Sequence, residues 1–235
     1  MSEKNPSGSQ TLSRGIRVLE IIAAAERPPT IADLAASLDV HRSVVYRLLR
    51  TLEDHGLTVR EESGKVHLGA GLAALAAGVS RDLQQAALPE LDTAANQLGM
   101  TCLLAIQLDQ EEAVTLISAS PRQRVAVVSY RPGHRHPITR GGPGKAILLA
   151  LPERLWPAEL PAGLREELAE SRSRGYALSH DEVVPSLWSV AVPLTLPGQP
   201  PAAIAAIHVS LPEREDHIAA LLQEAGDRIA RAFGA

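Results

Sequence analysis

Three arginines, Arg42, Arg47 and Arg50, stand among leucines and valines in the stretch DVHRSVVYRLLRTLEDHGL, residues 39–57. Side chains on a helix advance by about 100° per residue, so Val45, Leu48, Leu49 and Leu52 share one side. Ser43, Tyr46, Arg47, Arg50 and Asp54 fall on the other, and Arg42 flanks the first turn. A solvated face usually alternates Glu and Lys one turn apart. Arg47 and Arg50 have no carboxylate one turn before them, so their counter-charge is expected outside the helix. Guanidinium is the usual donor to guanine edges and to phosphate. Taken alone, a short amphipathic helix is also a common solvated element.

The second chemically suggestive stretch is RGGPGKAILLAL, residues 140–151. Gly141, Gly142, Pro143 and Gly144 stand at the mouth of a helix, with Pro143 suited to its first turn. Unpaired N–H groups and the positive end of the helix dipole there would hold a carboxylate, and Arg140 would steer an anion. The same glycines serve a tight strand-to-helix turn, which is the plainer reading of these residues by themselves. Upstream, RPGHRHPITR carries a His134-x-His136 pair. No Cys or third clustered His follows, so no metal site is expected. The chain has no G-x-S-x-G elbow and no H-E-x-x-H, and GGPGK lacks the spacing of a phosphate loop and its following Ser or Thr. Neither an enzyme nor a cofactor is expected.

The elements that must carry these groups follow from apolar spacing. Leu12, Ile16, Leu19, Ile22 and Ala23 recur at helical intervals until the prolines of AERPPT, giving a first helix. Thr30 caps a second, with Asp33 three residues on and Ile31, Leu34, Ala35 and Leu38 as its stripe. After the third helix, Gly56 suits a left-handed cap, and LTVREESGKVHLG reads as a hairpin about Ser63-Gly64. Three helices and a hairpin make a winged helix-turn-helix, whose third helix enters the DNA major groove.

Beyond residue 69 the pattern is helical to residue 98, with Pro89 expected to break or kink it. The runs TCLLAIQLD, EAVTLISAS, RVAVVSYR, LWSVAVPLTL and PAAIAAIHVS have strand character. Helices are expected at 143–151, at 163–174 and from Pro212 onward, the last with Ile218, Leu221, Leu222, Ala225, Ile229 and Phe233 on one face. The fold class is therefore α+β. Residues 1–9 read as a disordered arm, 10–69 as the DNA-binding domain, 70–80 as a linker helix and 81–235 as an effector-binding and oligomerisation domain.

Composition is compatible with this and decides little. The 235 residues allow two cores. The single cysteine, Cys102, lies in an apolar run and reads as a packing residue of a reducing compartment. Alanine-rich runs are too short to cross a bilayer, so a cytoplasmic protein without membrane contact is expected. Residues 1–70 carry nine Lys and Arg against nine Asp and Glu, and residues 71–235 fourteen against eighteen. No global basic field exists, so DNA affinity has to come from locally placed arginines.

Residues 10–70 resemble the DNA-binding half of the IclR (isocitrate lyase regulator) family of bacterial transcription regulators, through LSRGIRVLEII, TIADLAASLDVHRSVVYRLLRTLEDHGL and VHLGAGLAALA. The second half resembles the family through RPGHRHPITRGGPGKAILLALP, SRGYALSHDEV and SVAVPLTLPGQPPAAIAAIHVS. The resemblance implies a GAF-like effector-binding domain and a homodimer or homotetramer that binds a double-stranded operator. It implies base-edge and nearby phosphate contacts from Arg42, Ser43, Tyr46 and Arg47. Arg50 is expected on phosphate, Lys65 at the wing, and Arg14 and Arg17 at the DNA backbone. It makes the glycine loop a wall of a pocket for a small effector such as a carboxylate. Arg140, Gly141, Gly142, Gly144, Ser179, Leu187 and Ser189 are its expected lining. Ser189 stands where the family commonly has cysteine, and Ser179 where it commonly has an acidic residue. Trp188 is expected to face away from Leu187 and Ser189, and His208 to be a satisfied core histidine. The alternative is a DNA-binding regulator whose second domain only oligomerises and binds no ligand.

Overall fold

A computed structural model describes residues 8–122 and 130–234. The chain folds as two compact units, Met1–Val79 and Ser80–Ala235.

In the first unit, Ser9 Oγ accepts the Leu12 N–H at 3.3 Å and starts α1 (Gln10–Ala24). Thr30 and Asp33 form a reciprocal capping box at α2 (Ile31–Leu38), satisfying two N–H groups that the first turn would leave open. Asp39 takes the left-handed conformation (φ 50°), which turns the chain sharply into α3 (Arg42–Asp54). The strands β1 (Thr58–Arg60) and β2 (Val66–Leu68) pair antiparallel as a wing, and α4 (Gly71–Ala76) follows. Val18, Ile22, Leu34, Val45, Leu48, Leu49 and Val66 form the core.

The face of α1 differs from the expected stripe. Gly15, Val18 and Ile22 turn inward, while Leu12 is 64% and Ile16 50% exposed. The sequence offers two overlapping apolar rows, and only contact with α3 and β2 selects between them.

The second unit is built on a six-stranded antiparallel sheet in the order β5-β4-β3-β8-β7-β6. These strands are β3 (Thr101–Gln107), β4 (Glu112–Ala119), β5 (Arg135–Pro137), β6 (Ala177–His180), β7 (Trp188–Leu194) and β8 (Ala202–His208). One face packs on α5 (Arg81–Leu98) and α8 (Glu215–Phe233). The other packs on α6 (Gly141–Ala150) and α7 (Leu164–Arg174). Two apolar layers thus sandwich the sheet, and β3, β7 and β8 are buried on both faces. Their near-continuous apolar runs follow from that double burial.

Pro89 neither breaks nor ends α5, which runs through it, and Thr93 donates to the Pro89 carbonyl at 2.8 Å. The short strands β5 and β6 carry too few alternations to stand out in the sequence. The strand expected at RVAVVSYR lies largely in residues 123–129, outside the described residues. Cys102 is buried, and desolvation pushes its thiol up to about 12. His208 is not a core residue: it ends β8 half-buried, with its ring nitrogen against Ser210.

Candidate functional site

The entry to α3 is made by His41, whose Nδ1 accepts the Ser43 N–H at 3.3 Å and lies 2.9 Å from the Ser43 hydroxyl. An imidazole thus does the work of a Ser or Asp cap. Val45, Leu48 and Leu49 hold the helix to the core, and Arg42, Ser43, Tyr46, Arg47 and Arg50 are exposed together on the opposite side. None of the three guanidinium groups meets a carboxylate among the described residues.

Tyr46, 53% exposed, lies under the Arg60 guanidinium at 5.1 Å from its ring centroid. Arg60 in turn binds Glu53 at 3.0 Å, tying β1 of the wing to α3. Lys65 is exposed near the wing tip. Glu61 beside it is held by Ser63 and by His67 at 2.6 Å, which lowers its carboxyl below the usual range. Arg17 is paired with Glu20 at 3.1 Å, which leaves its guanidinium less available to DNA, and Arg14 is half-buried.

In the second unit a cavity of about 20 Å³ lies between β5, α6 and the β6–β7 pair. Arg140, Gly141, Ser179, Leu187 and Ser189 line it, together with Tyr130 and His136. Ser179 and Ser189 are direct cross-strand partners, so both hydroxyls project from the same face of the sheet. Val183, Val184 and Leu187, from the turn joining β6 to β7, close the top. Trp188 alternates away and stacks on His180 at 4.1 Å.

Neither Gly142 nor Gly144, both expected in the lining, lines the cavity; Gly144 has a packing role instead. A Cβ there would meet the Pro137 carbonyl oxygen at 2.5 Å, so this glycine lets α6 press against β5. At Gly142 a Cβ would lie 2.5 Å from Ser189 Oγ. The N–H groups expected to be open to a ligand are already bonded within the chain. Gly141 N–H donates to Glu182 Oε2 at 2.9 Å, and Gly142 N–H donates to Ser189 Oγ at 3.0 Å. Pro143 has no N–H to offer. The positive end of α6 is therefore occupied by the carboxylate of Glu182.

Sequence reasoning missed three further groups. Lys145 is 2% exposed inside the apolar α6, and its ammonium lies 2.5 Å from Glu167 Oε1 on α7 and in contact with Glu182 Oε1. A buried cation must be paired in this way, and the signal was its position as the lone charge of a wholly apolar helix. His136 is also 2% exposed, and neither ring nitrogen has a well-formed hydrogen-bond partner among the described residues. Burial pushes it down to about 4, with His134 adding to the shift and the Pro137 backbone opposing it. Tyr130 stacks on His134 with 4.5 Å between centroids. No group of three or more His, Cys, Asp or Glu is placed to hold a metal ion among the described residues.

Family models match both halves of the chain: the IclR helix-turn-helix domain over residues 11–62 and the bacterial transcriptional regulator IclR C-terminal domain over 75–231. The regulator XynR of Escherichia coli is 29% identical over 96% of this chain and 97% of its own length. The transcriptional repressor IclR of the same organism is 26% identical over 96% and 90%. Among solved structures, an IclR-type regulator from Alicyclobacillus acidocaldarius superposes with a TM-score of 0.83 at 24% identity, covering 97% of this chain and all of that one. An IclR homologue from Microbacterium hydrocarbonoxydans in complex with 4-hydroxybenzoate superposes with a TM-score of 0.79 at 25% identity, covering 95% and 99%.

Proposed function

The chain belongs to the IclR family of DNA-binding transcription regulators, and from that premise we propose that a small organic acid bound in the second unit sets its affinity for an operator. The observation that carries this reading is the cavity at the head of α6, where Ser179, Ser189, Leu187 and Arg140 converge. Small-molecule sites are concave and mostly apolar with a few convergent polar groups. The Microbacterium homologue with 4-hydroxybenzoate supports an acid as the ligand class.

Arg42, Ser43, Tyr46 and Arg47 project from the first turns of α3 and are assigned to base edges and nearby phosphates, with Arg50 and Lys65 on phosphate. Arg14 and Arg17 are assigned at most peripheral backbone contacts. Half-sites on a two-fold axis need at least a dimer, so the working form is a homodimer or homotetramer acting in the cytoplasm on double-stranded DNA. With Gly141 and Gly142 engaged, a ligand carboxylate is directed to the exposed Arg140 at the rim.

Thermal-shift measurements with a panel of small carboxylic acids, followed by operator binding with any hit, test this. A melting rise coupled to altered operator affinity supports it. If no acid shifts melting and DNA affinity is unmoved, a second domain that only oligomerises takes its place.

A further inference from the structure

We infer that His136 is a specificity-determining residue of this pocket, reading a hydroxyl group on a small hydroxylated carboxylic acid. The inference rests on the effector reading above and narrows it to one chemical class.

His136 sits on β5 opposite Ala113 of β4 and is almost wholly withdrawn from solvent, yet neither ring nitrogen has a well-formed hydrogen bond to a described residue. On the same face of β4, two residues along, the buried Thr115 hydroxyl has no partner among the described residues either. Buried polar groups are hydrogen-bonded in the great majority of proteins, so a cavity imidazole approached only by the Pro137 backbone, with its other nitrogen bare, is an unmet demand. Across the cavity, Ser189 accepts from Gly142 and retains its own O–H for donation, and the Ser179 hydroxyl lines the same space.

A neutral imidazole has one N–H donor and one bare acceptor nitrogen. A carboxylate only accepts, so it leaves that bare nitrogen unmet unless the ring takes up a proton, which burial opposes. A hydroxyl both donates and accepts, and so serves His136 and a serine at once. Size agrees: about 20 Å³ admits one water-sized group. The hydroxyl occupies that space, the carboxylate meets Arg140 at the rim, and the body of the ligand replaces the Val183–Val184–Leu187 cover, of which Val184 is already 37% exposed.

The test uses full-length protein and matched acids with and without a hydroxyl, lactate against propionate and 4-hydroxybenzoate against benzoate, in calorimetric titrations. Wild-type protein is expected to prefer the hydroxylated member of at least one pair by about tenfold or more, as a site built for a hydroxyl rejects its absence. His136→Phe is expected to collapse that preference to within about threefold while still binding the unhydroxylated acid, and His136→Gln, which keeps a donor and an acceptor, to restore part of it. Ring-nitrogen NMR signals of His136 should shift only with the hydroxylated acid, a readout that does not depend on the fold of any variant. Equal binding of both members by wild-type protein, or a preference that survives in His136→Phe, overturns the assignment and leaves the effector reading standing. Failure of all four acids to bind overturns both for these ligands.

Discussion

The carboxylate of Glu182 accepts the N–H of Gly141 at 2.9 Å while its other oxygen meets Lys145. The first peptide of α6, a cation buried in the second turn of the same helix and the turn that closes the cavity are therefore held by one side chain. Whatever moves residues 181–187 must also loosen an ion pair, so opening of the pocket and the packing of α6 on α7 are mechanically joined.

Replacing the cation tests how much that join is worth. Lys145→Met should lower stability by about 2–4 kcal/mol, because it leaves Glu182 and Glu167 without their counter-charge. The low end is favoured, since the Glu167 side chain is 37% exposed and water screens it. Lys145→Met with Glu182→Gln should recover part of the loss, measured as urea midpoints of the single and double variants.

On the DNA side, Arg47→Ala should cost about 1–3 kcal/mol of specific operator binding with circular dichroism unchanged. Arg50→Ala should weaken all sequences alike and reduce the salt slope by about one. Titrations at several salt concentrations separate the two, and an unaltered operator affinity in Arg47→Ala would remove α3 from the groove.

Gly142→Ala adds a methyl group where Ser189 Oγ stands 2.5 Å away, at a backbone angle alanine tolerates. The response of operator binding to any acid hit should be lost while binding in its absence stays as in the wild type. A normal response in this variant, read by fluorescence anisotropy of labelled operator, would put the pocket elsewhere.

Acid should destabilise the second unit through His136. Its folded value of about 4 lies below the ordinary 6.5, so the unfolded chain takes up a proton first. Stability is thus complete above about pH 6.5 and falls as pH drops toward 4, by at most about 3 kcal/mol from this ring. Facing it in the cavity are Tyr130 and Arg140, with His134 alongside at 6.5 Å between ring centroids. Urea midpoints between pH 7.5 and 4.5 should fall less steeply in His136→Phe than in wild-type protein. Equal slopes would mean that His136 is charged in the folded chain.

The helix-turn-helix was legible because each of its signals is local: prolines that stop α1, a capping box at Thr30, a stripe at Val45, Leu48 and Leu49. The α1 face was not, because Leu12 and Ile16 look as apolar as Val18 and only tertiary contact decides which row is covered. In the pocket, Ser179, Leu187 and Ser189 came from likeness to a family. Lys145, Glu182 and His136 escaped because their meaning is relational. Glu182 is 37 residues from Lys145 along the chain, and a histidine in a basic loop gives no local sign that its ring will be dry.

Ser179 and Ser189 owe their common direction to the pairing of β6 with β7. A sheet sorts its residues by odd and even, so sliding one strand by a single step would send one of these hydroxyls through to the opposite layer. Deletions within 181–187 should accordingly fall into two kinds, those the bend absorbs silently and those that flip the parity and erase the recognition surface at a stroke, with few intermediate cases. The chemistry of this cavity is written in a count of residues as much as in their identities.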